Sequence, residues 1–379
     1  MRQKINKTER SGNEVANVLQ KLGEKIEQIG LNNWQLRTLR AIKQCRTAAL
    51  GGHIDACNEC GNITISYNSC RNRHCPKCQG KNREDWINAR EDELLPVPYF
   101  HIVFTLPDDL NSLAMHEPKL VYDSLFQAAW ETLHAFGKNN AVQMGIIAIL
   151  HTWGQNLSLH PHLHCIVPGG GIDKDGNWKS IRSDGKFLFP VRALSKVFRA
   201  KFCQKINEKS PVHYTPLRQK LWEKNWVVFA KKPFGKPRSV VEYLGRYSHK
   251  IAISNHRIKS IDKQTVTFNY KDYRQNGVKK QLTLTHQEFI RRFAMHILPK
   301  RFVKIRHYGF LSSNWKRKKL KILQSKMDIY LPEKIEKPTT TKICTCCKNG
   351  TLITIEVFAK RGPPKLVLAR SRNIVSSKN

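Results

Sequence analysis

The sequence predicts an α+β protein with a mostly antiparallel sheet. Short apolar runs of strand length, closed by proline or glycine, alternate with long helical patterns, and they lack the regular spacing of βαβ units. Hydrophobic residues make up 40% of the 379 positions, and the length suits two to three domains with at least one sizeable core. A Cys/His-rich stretch near the start and a strongly basic stretch near residue 310 mark two further modules.

The elements follow in order. Residues 14–45 carry apolar positions at helical spacing and predict two helices broken near Gly30. The cysteine-rich stretch from Cys45 to Gln79 comes next, then a helix over 82–94 closed by Pro96 and Pro98. YFHIVFTLP is a buried strand ended by Pro107, and residues 111–138 form a helix interrupted at Pro118. Residues 144–153 and 160–171 predict two strands, and the short link Gly154 to Leu159 suits an antiparallel hairpin. A helix over 192–209, a strand over 226–231 and a helix over 239–252 complete the central part. TVTFNY (265–270) and KQLTLT (280–285) predict a small β element, with helices at 286–298 and 312–327. The expected division is 1–95 (helical, zinc-binding), 96–260 (the strand-bearing central domain), 261–330 (small β plus basic helices) and 331–379 (a Cys-containing tail).

Charge narrows the function. Sixty-six Lys and Arg against 29 Asp and Glu leave +37 at pH 7, which calls for a polyanionic partner, nucleic acid or a membrane surface. The apolar stretch Met144 to Leu150 falls far short of the roughly 20 residues that span a bilayer. The start resembles no export signal, so a cytoplasmic, nucleoid-associated protein acting on nucleic acid is expected, with no membrane partner. Six of the 11 cysteines lie between 45 and 78 and three between 344 and 347; an odd, clustered set in a reducing compartment points to metal ligation rather than disulfides.

Cys57-Asn-Glu-Cys60 and Cys75-Pro-Lys-Cys78 are two CxxC knuckles 14 residues apart, and four thiolates satisfy tetrahedral Zn2+. Cys45, His53, Cys70 and His74 are left over in the same window, as a second zinc set or as core cysteines and solvated histidines. Arg71 and Arg73, with Lys77, Lys81 and Arg83, surround the second knuckle, so a structural zinc here would hold a basic surface for DNA phosphates. Cys344-Thr-Cys346-Cys347 is a lone knuckle with no matching partner, either a surface cluster in a flexible tail or part of a second zinc site.

In a strand, residues two apart share a face, so His160, His162 and His164 of HPHLH point one way and Leu163 the other. Paired imidazoles leave positions open on a metal that can grip a substrate oxygen. A turn centred between Asn156 and Leu157 sets His151 across from His162 as the third-ligand candidate, with Gln155 and His160 as rivals. Pro161 is placed to introduce a bulge. Tyr243 and Tyr247 in EYLGRYSHK stand four apart, hence on one helical face, beside Arg246, His249 and Lys250. They are an aromatic stripe in a core, or phenol nucleophiles that a polarising metal and nearby cations would activate toward a phosphate.

HPHLHCIVPGGG, then EYLGRYSHKIAISNHRI some eighty residues on, with CRTAALGGHIDACNECG and SCRNRHCPKCQ upstream, resembles the two-tyrosine transposases of bacterial insertion sequences of the IS-ninety-one type, HUH endonucleases with an N-terminal zinc-binding domain. The resemblance covers about residues 30–320. It implies an RRM-like antiparallel sheet in the nuclease domain, with His162 and His164 as the pair holding a catalytic Mg2+ or Mn2+, and Tyr243 and Tyr247 as nucleophiles. It also implies rolling-circle transposition: single-strand cleavage at the element's ends, a 5′-phosphotyrosine, a free 3′-hydroxyl, and strand transfer into target DNA without ATP. No GxxxxGK[ST] loop is present, in keeping with that. Family members carry a cleaner CxxC followed by Gly where this chain has Cys344 to Cys347.

Between Lys300 and Lys326 there are ten Lys and Arg and no Asp or Glu. Lys316, Arg317, Lys318 and Lys319 on a helix would track a DNA backbone without reading sequence. Trp153, Trp178, Trp226, Tyr308 and Trp315 are candidate platforms for unpaired bases. Two rivals share these features: a plasmid replication initiator or relaxase using the same chemistry, and a zinc-bearing DNA-binding regulator with no catalytic step. Oligomeric state is open.

Overall fold

A computed structural model describes residues 13–78, 94–181, 188–234, 245, 250–327 and 342–360. In chain order the strands are β1 (Gly52–Cys57), β2 (Ile63–Tyr67), β3 (Tyr99–Thr105), β4 (Gly145–Trp153), β5 (Leu159–Pro168), β6 (Gly170–Ile172), β7 (Trp178–Ser180), β8 (Val228–Phe234), β9 (Ile258–Ile261), β10 (Thr265–Asp272), β11 (Val278–Thr285), β12 (Ile305–Gly309) and β13 (Leu352–Phe358). The helices used below are α1 (Val15–Leu22), α2 (Asn33–Lys43), α3 (Asn111–His116), α4 (Pro118–Asn139), α5 (Val191–Lys209), α6 (His286–Ala294) and α7 (Lys321–Lys326). The α+β class with antiparallel sheets is as the sequence predicts.

The chain forms two compact units, each built from separated stretches: 1–79 with 253–294 and 333–379, and 80–252 with 295–332. This differs from a division into four consecutive parts, because pairings distant in sequence decide the boundaries. The Asn13 side chain donates to the Lys259 carbonyl at 2.7 Å, and Lys21 Nζ to the carbonyls of Ile261 and Asp262 at 3.0 and 2.8 Å. Strand β13 pairs with β1, which draws 342–360 into the first unit instead of leaving a tail.

In the first unit, α1 buries Val15, Val18, Leu19 and Leu22. The break after it falls at Gly30, whose φ of +74° a side chain would strain. A reciprocal cap starts α2: Asn32 Oδ1 accepts from Gln35 N at 2.9 Å, and Gln35 Oε1 from Asn32 N at 3.0 Å. One sheet has the order β13-β1-β2 and the other β11-β10-β9, with Phe289 of α6 edge-on to Phe268 of β10. Strands β1, β2 and β13 lack the continuous apolar runs that mark buried strands, so their sequence alone did not predict them.

The second unit is organised by an antiparallel sheet of order β12-β4-β5-β3-β8. Alternation gives it two faces. Phe100, Ile102, Phe104, Ala148, Leu150, Leu163, Cys165 and Val167 pack in one cluster with Leu125, Phe126 and Leu133 of α4 and Leu194, Phe198 and Phe202 of α5. On the opposite face Tyr99, Ile147, Ile149 and Ile166 pack with Leu94, Leu95, Phe310, Leu311, Leu320 and Leu323. That second cluster takes one end of the face, and the histidines take the other. The β4–β5 register sets Ile149 opposite His164 and His151 opposite His162, as the hairpin reading predicts. Beyond that pair the register slips so that Trp153 faces Leu159, which places one extra residue on β5 beside Pro161, a residue with no N–H for the ladder. The helix break at Pro118 is also as predicted, with Pro118 opening α4.

Candidate metal centres

His151, His162 and His164 each offer one ring nitrogen such that these atoms lie within 4.8 Å of one another. The sheet explains why. His162 and His164 project from one face of the central strand, and His151 reaches the same face from β4. His160, the rival, is exposed and its ring centroid stands 5.1 Å from that of His162, outside the convergent set.

Tautomers follow from the hydrogen bonds. His162 Nδ1 lies 2.7 Å from the carbonyl of His160, so it carries the proton and the lone pair sits on Nε2. His164 Nδ1 lies 2.9 Å from Nε2 of His101, a buried side chain of β3 whose ring stacks on His164 at 5.1 Å. Burial pushes His162 and His101 down to about 4 and His164 well below its ordinary value, with Lys231 adding to the effect at His101 and His162 at His164. Neutral imidazoles are the form that binds metal. Three nitrogen donors suit a borderline first-row ion, while Mg2+ would draw its other ligands from water and phosphate oxygens.

Around this centre, Trp153 stacks on His151 at 4.5 Å, and Lys304 Nζ lies 5.1 Å from the Trp153 ring centroid. Lys304 also donates to the carbonyl of Lys250 at 2.8 Å. Tyr243, Tyr247 and Arg246 lie outside the described residues; Lys250, three residues past Tyr247, is described and exposed. Sequence reasoning missed His101 and Lys304. His101 carried one usable signal, a histidine inside the otherwise apolar strand YFHIVFTLP.

The cysteines form two sets, and this corrects the expected quartet of Cys57, Cys60, Cys75 and Cys78. Cys75 and Cys78 group with Cys45 and Cys70, whereas Cys57 and Cys60 group with Cys344 and Cys347. The reason is local. Cys45 follows α2 directly, and the backbone N–H of Cys70 donates to its sulfur at 3.4 Å, bringing both beside the second knuckle. Cys57 ends β1 and so meets the turn that leads into β13. Sulfur separations are 3.6 Å (Cys45 to Cys78) and 3.7 Å (Cys70 to Cys78, Cys57 to Cys347, Cys60 to Cys344). Tetrahedral zinc with bonds of about 2.3 Å implies about 3.8 Å between thiolates, so both sets fit the ion. His53 and His74 are in neither set; His53 lies 3.3 Å from Asp55.

The basic residues divide as well. Arg71 is exposed, with φ at +51°, while burial lowers the pKa of the half-buried Arg73. Lys77 pairs with Glu14 at 2.5 Å, tying the second knuckle to α1. Lys316 to Leu320 form a π-helical stretch ahead of α7; Arg317, Lys318 and Lys319 are exposed, Lys316 is half-buried, and Leu320 and Leu323 anchor the stretch. Arg306 instead pairs with Asp123 of α4 and lies over Phe126 at 4.1 Å. Of the aromatic platforms, Trp226 belongs to the core, Tyr308 packs half-buried against it and stacks on Trp130, and Trp178 and Trp315 pack on Phe310.

Residues 145–319 match the family described as "Putative transposase", and residues 18–106 match the "Transposase zinc-binding domain". The chain is 41% identical to "Putative transposase y4qJ" of Sinorhizobium fredii over 94% of this chain and 98% of that protein. It is 31% identical to the "Transposase for insertion sequence element IS801" of Pseudomonas savastanoi pv. phaseolicola, over 76% of this chain and 73% of the relative. No solved structure matches. No helix among the described residues is long and apolar enough to cross a membrane. The two matched regions take in the histidine-bearing sheet and the first cysteine set, and with these relatives they show that the chain belongs to the insertion-sequence transposases of the IS-ninety-one type.

Proposed function

We propose that this transposase cuts and rejoins single-stranded DNA at the ends of its element, through tyrosine-linked 5′-phosphates, by a rolling-circle route. The observation that carries the reading is the convergence of His151, His162 and His164 on one face of the central sheet.

A divalent ion bound by the three imidazoles would polarise the scissile phosphate and stabilise charge on its oxygens. The chain supplies the rest. Lys304 and Lys250 add positive charge near the histidines, which the lowering of the His164 pKa by both already registers. A phenolic oxygen of Tyr243 or Tyr247 forms a bond to phosphorus and the P–O3′ bond breaks. The phenol proton passes to water and the departing 3′ oxygen takes one up. The phosphodiester energy is kept in the phosphotyrosine, and attack by a 3′-hydroxyl reverses the step onto a new strand. Trp153 is the remaining candidate platform for a base at the site. The exposed Arg317, Lys318 and Lys319 would hold the backbone farther along.

The test is incubation of labelled single-stranded terminus DNA with the full chain and Mn2+ or Mg2+. A denaturation-resistant adduct is expected, lost in the Tyr243→Phe/Tyr247→Phe variant and in His162→Ala. Normal nicking by the double tyrosine variant would overturn the nucleophile assignment. Binding with no adduct from the unaltered chain would leave a DNA-binding regulator in its place.

A further inference from the structure

We infer that Cys57, Cys60, Cys344 and Cys347 bind a second zinc ion, which fastens the 342–360 segment onto β1 and makes the zinc-binding module discontinuous in sequence. The matched zinc-binding domain ends at residue 106. Once Cys75 and Cys78 have joined Cys45 and Cys70, the first knuckle is two ligands short within that region. The missing pair arrives from 284 and 290 residues away.

Several independent features build this site. All four sulfurs lie within 4.8 Å of one another, and the separations of 3.7 Å from Cys57 to Cys347 and from Cys60 to Cys344 match a tetrathiolate edge rather than the roughly 2.05 Å of a disulfide. Backbone N–H groups donate to the thiolates: Cys346 N to Cys344 Sγ at 3.4 Å and Gly350 N to Cys347 Sγ at 3.3 Å. Such donors offset the net double negative charge that four thiolates place on Zn2+. Gly350 is required by closeness, because a Cβ there would stand 2.4 Å from Cys57 Sγ. The approach is guided beyond the sulfurs. Asn58 N donates to the Thr351 carbonyl at 3.1 Å, Thr351 N to Asn58 Oδ1 at 2.8 Å, and β13 continues along β1. The buried Asp55 carboxylate then accepts from Thr354 Oγ1 at 2.6 Å and Lys342 Nζ at 3.0 Å. Cys346, in the same turn, is exposed and belongs to neither set, which makes it an internal control.

Zinc content of the reduced full chain tests the inference. In the His162→Ala background, which removes the three-imidazole set, two ions per chain are expected, falling to one in Cys344→Ser/Cys347→Ser and staying at two in Cys346→Ser. One ion in that background, or two retained in the double variant, would overturn it. Pulsed alkylation of the unaltered protein decides the matter should the double variant misfold. Cys344 and Cys347 are expected to be protected until a chelator is added, while Cys346 reacts at once. Labelling of all three at one rate, or a mass four hydrogens lower with no second zinc, would exclude the site.

Discussion

The thiol-bearing unit and the histidine-bearing unit position their ligands by opposite means. In the first, the eight clustered cysteines sit on turns, at a strand end or just beyond a helix, and β13, which follows Cys344 and Cys347, exposes Ile353, Ile355 and Val357. In the second, the histidines ride on adjacent strands whose reverse face is packed by α4 and α5. A scaffold of the first kind draws its order from the metal, and one of the second kind is ordered before any metal arrives. Removing metal should therefore separate them, and this is the largest effect expected. Structural zinc contributes on the order of 10 kcal/mol per site. After exhaustive chelation, hydrogen exchange should rise throughout 45–78 and 342–360 while 145–168 stays protected. Equal protection of both regions in the metal-free chain would break the comparison.

A pair of adjacent substitutions on β5 sharpens it. Leu163 is fully buried against α4 and α5, and Leu163→Ala should cost about 2–5 kcal/mol by transfer and cavity terms. His162→Ala changes the other face and should cost under about 1 kcal/mol in urea unfolding while abolishing the covalent adduct. If His162→Ala destabilised the second unit as much as Leu163→Ala, the imidazoles would be holding the fold, as the thiolates are expected to do in the first.

What the sequence disclosed follows the same divide. Strands β3, β4 and β5, the Pro118 break and the His151 to His162 register were legible because each depends on local runs and one short turn. The cysteine knuckles were visible, but their grouping was not. A CxxC spacing specifies two ligands on one turn and says nothing of which second turn will meet it. Cys57 finds Cys347 only through the pairing of β1 with β13, nearly 300 residues apart. Likewise His101 meets His164 across a strand pair formed by segments 63 residues apart, and no periodicity within YFHIVFT marks the contact. The pairing of Arg306 with Asp123 was hidden for the same reason, inside a run that charge alone presents as a DNA-facing surface.

The contact from His101 to His164 gives a smaller test of pre-ordering. An acceptor at Nδ1 fixes the ring and raises the basicity of Nε2, and loss of such a partner typically costs 10–100-fold in metal affinity. His101→Ala should weaken Mn2+ binding by that factor, with His101→Asn recovering part of the loss. Unaltered Mn2+ affinity in His101→Ala would show that packing alone orients His164.

The smallest effect concerns His296, a buried side chain of the second unit that lies 3.2 Å from both Thr152 Oγ1 and the Leu157 carbonyl. Burial pushes it down to about 4, while the unfolded chain titrates near 6.5. The unfolded state thus holds the extra proton between those values, and the stabilising contribution of neutral His296 is complete above about pH 6.5 and lost as pH falls through about 4. Between pH 7 and 5.5 the loss should be about 1 kcal/mol for this residue, from the slope of roughly 1.4 kcal/mol per pH unit. His296→Gln removes that term. Its stability relative to the unaltered chain should improve by about that amount on moving from pH 7 to 5.5, as measured by urea unfolding with exchange in 145–168 as the probe. A difference that stays constant with pH would mean that His296 is already solvated enough to take its proton in the folded state, and the second unit would be less completely ordered at this end of the sheet than its packing implies.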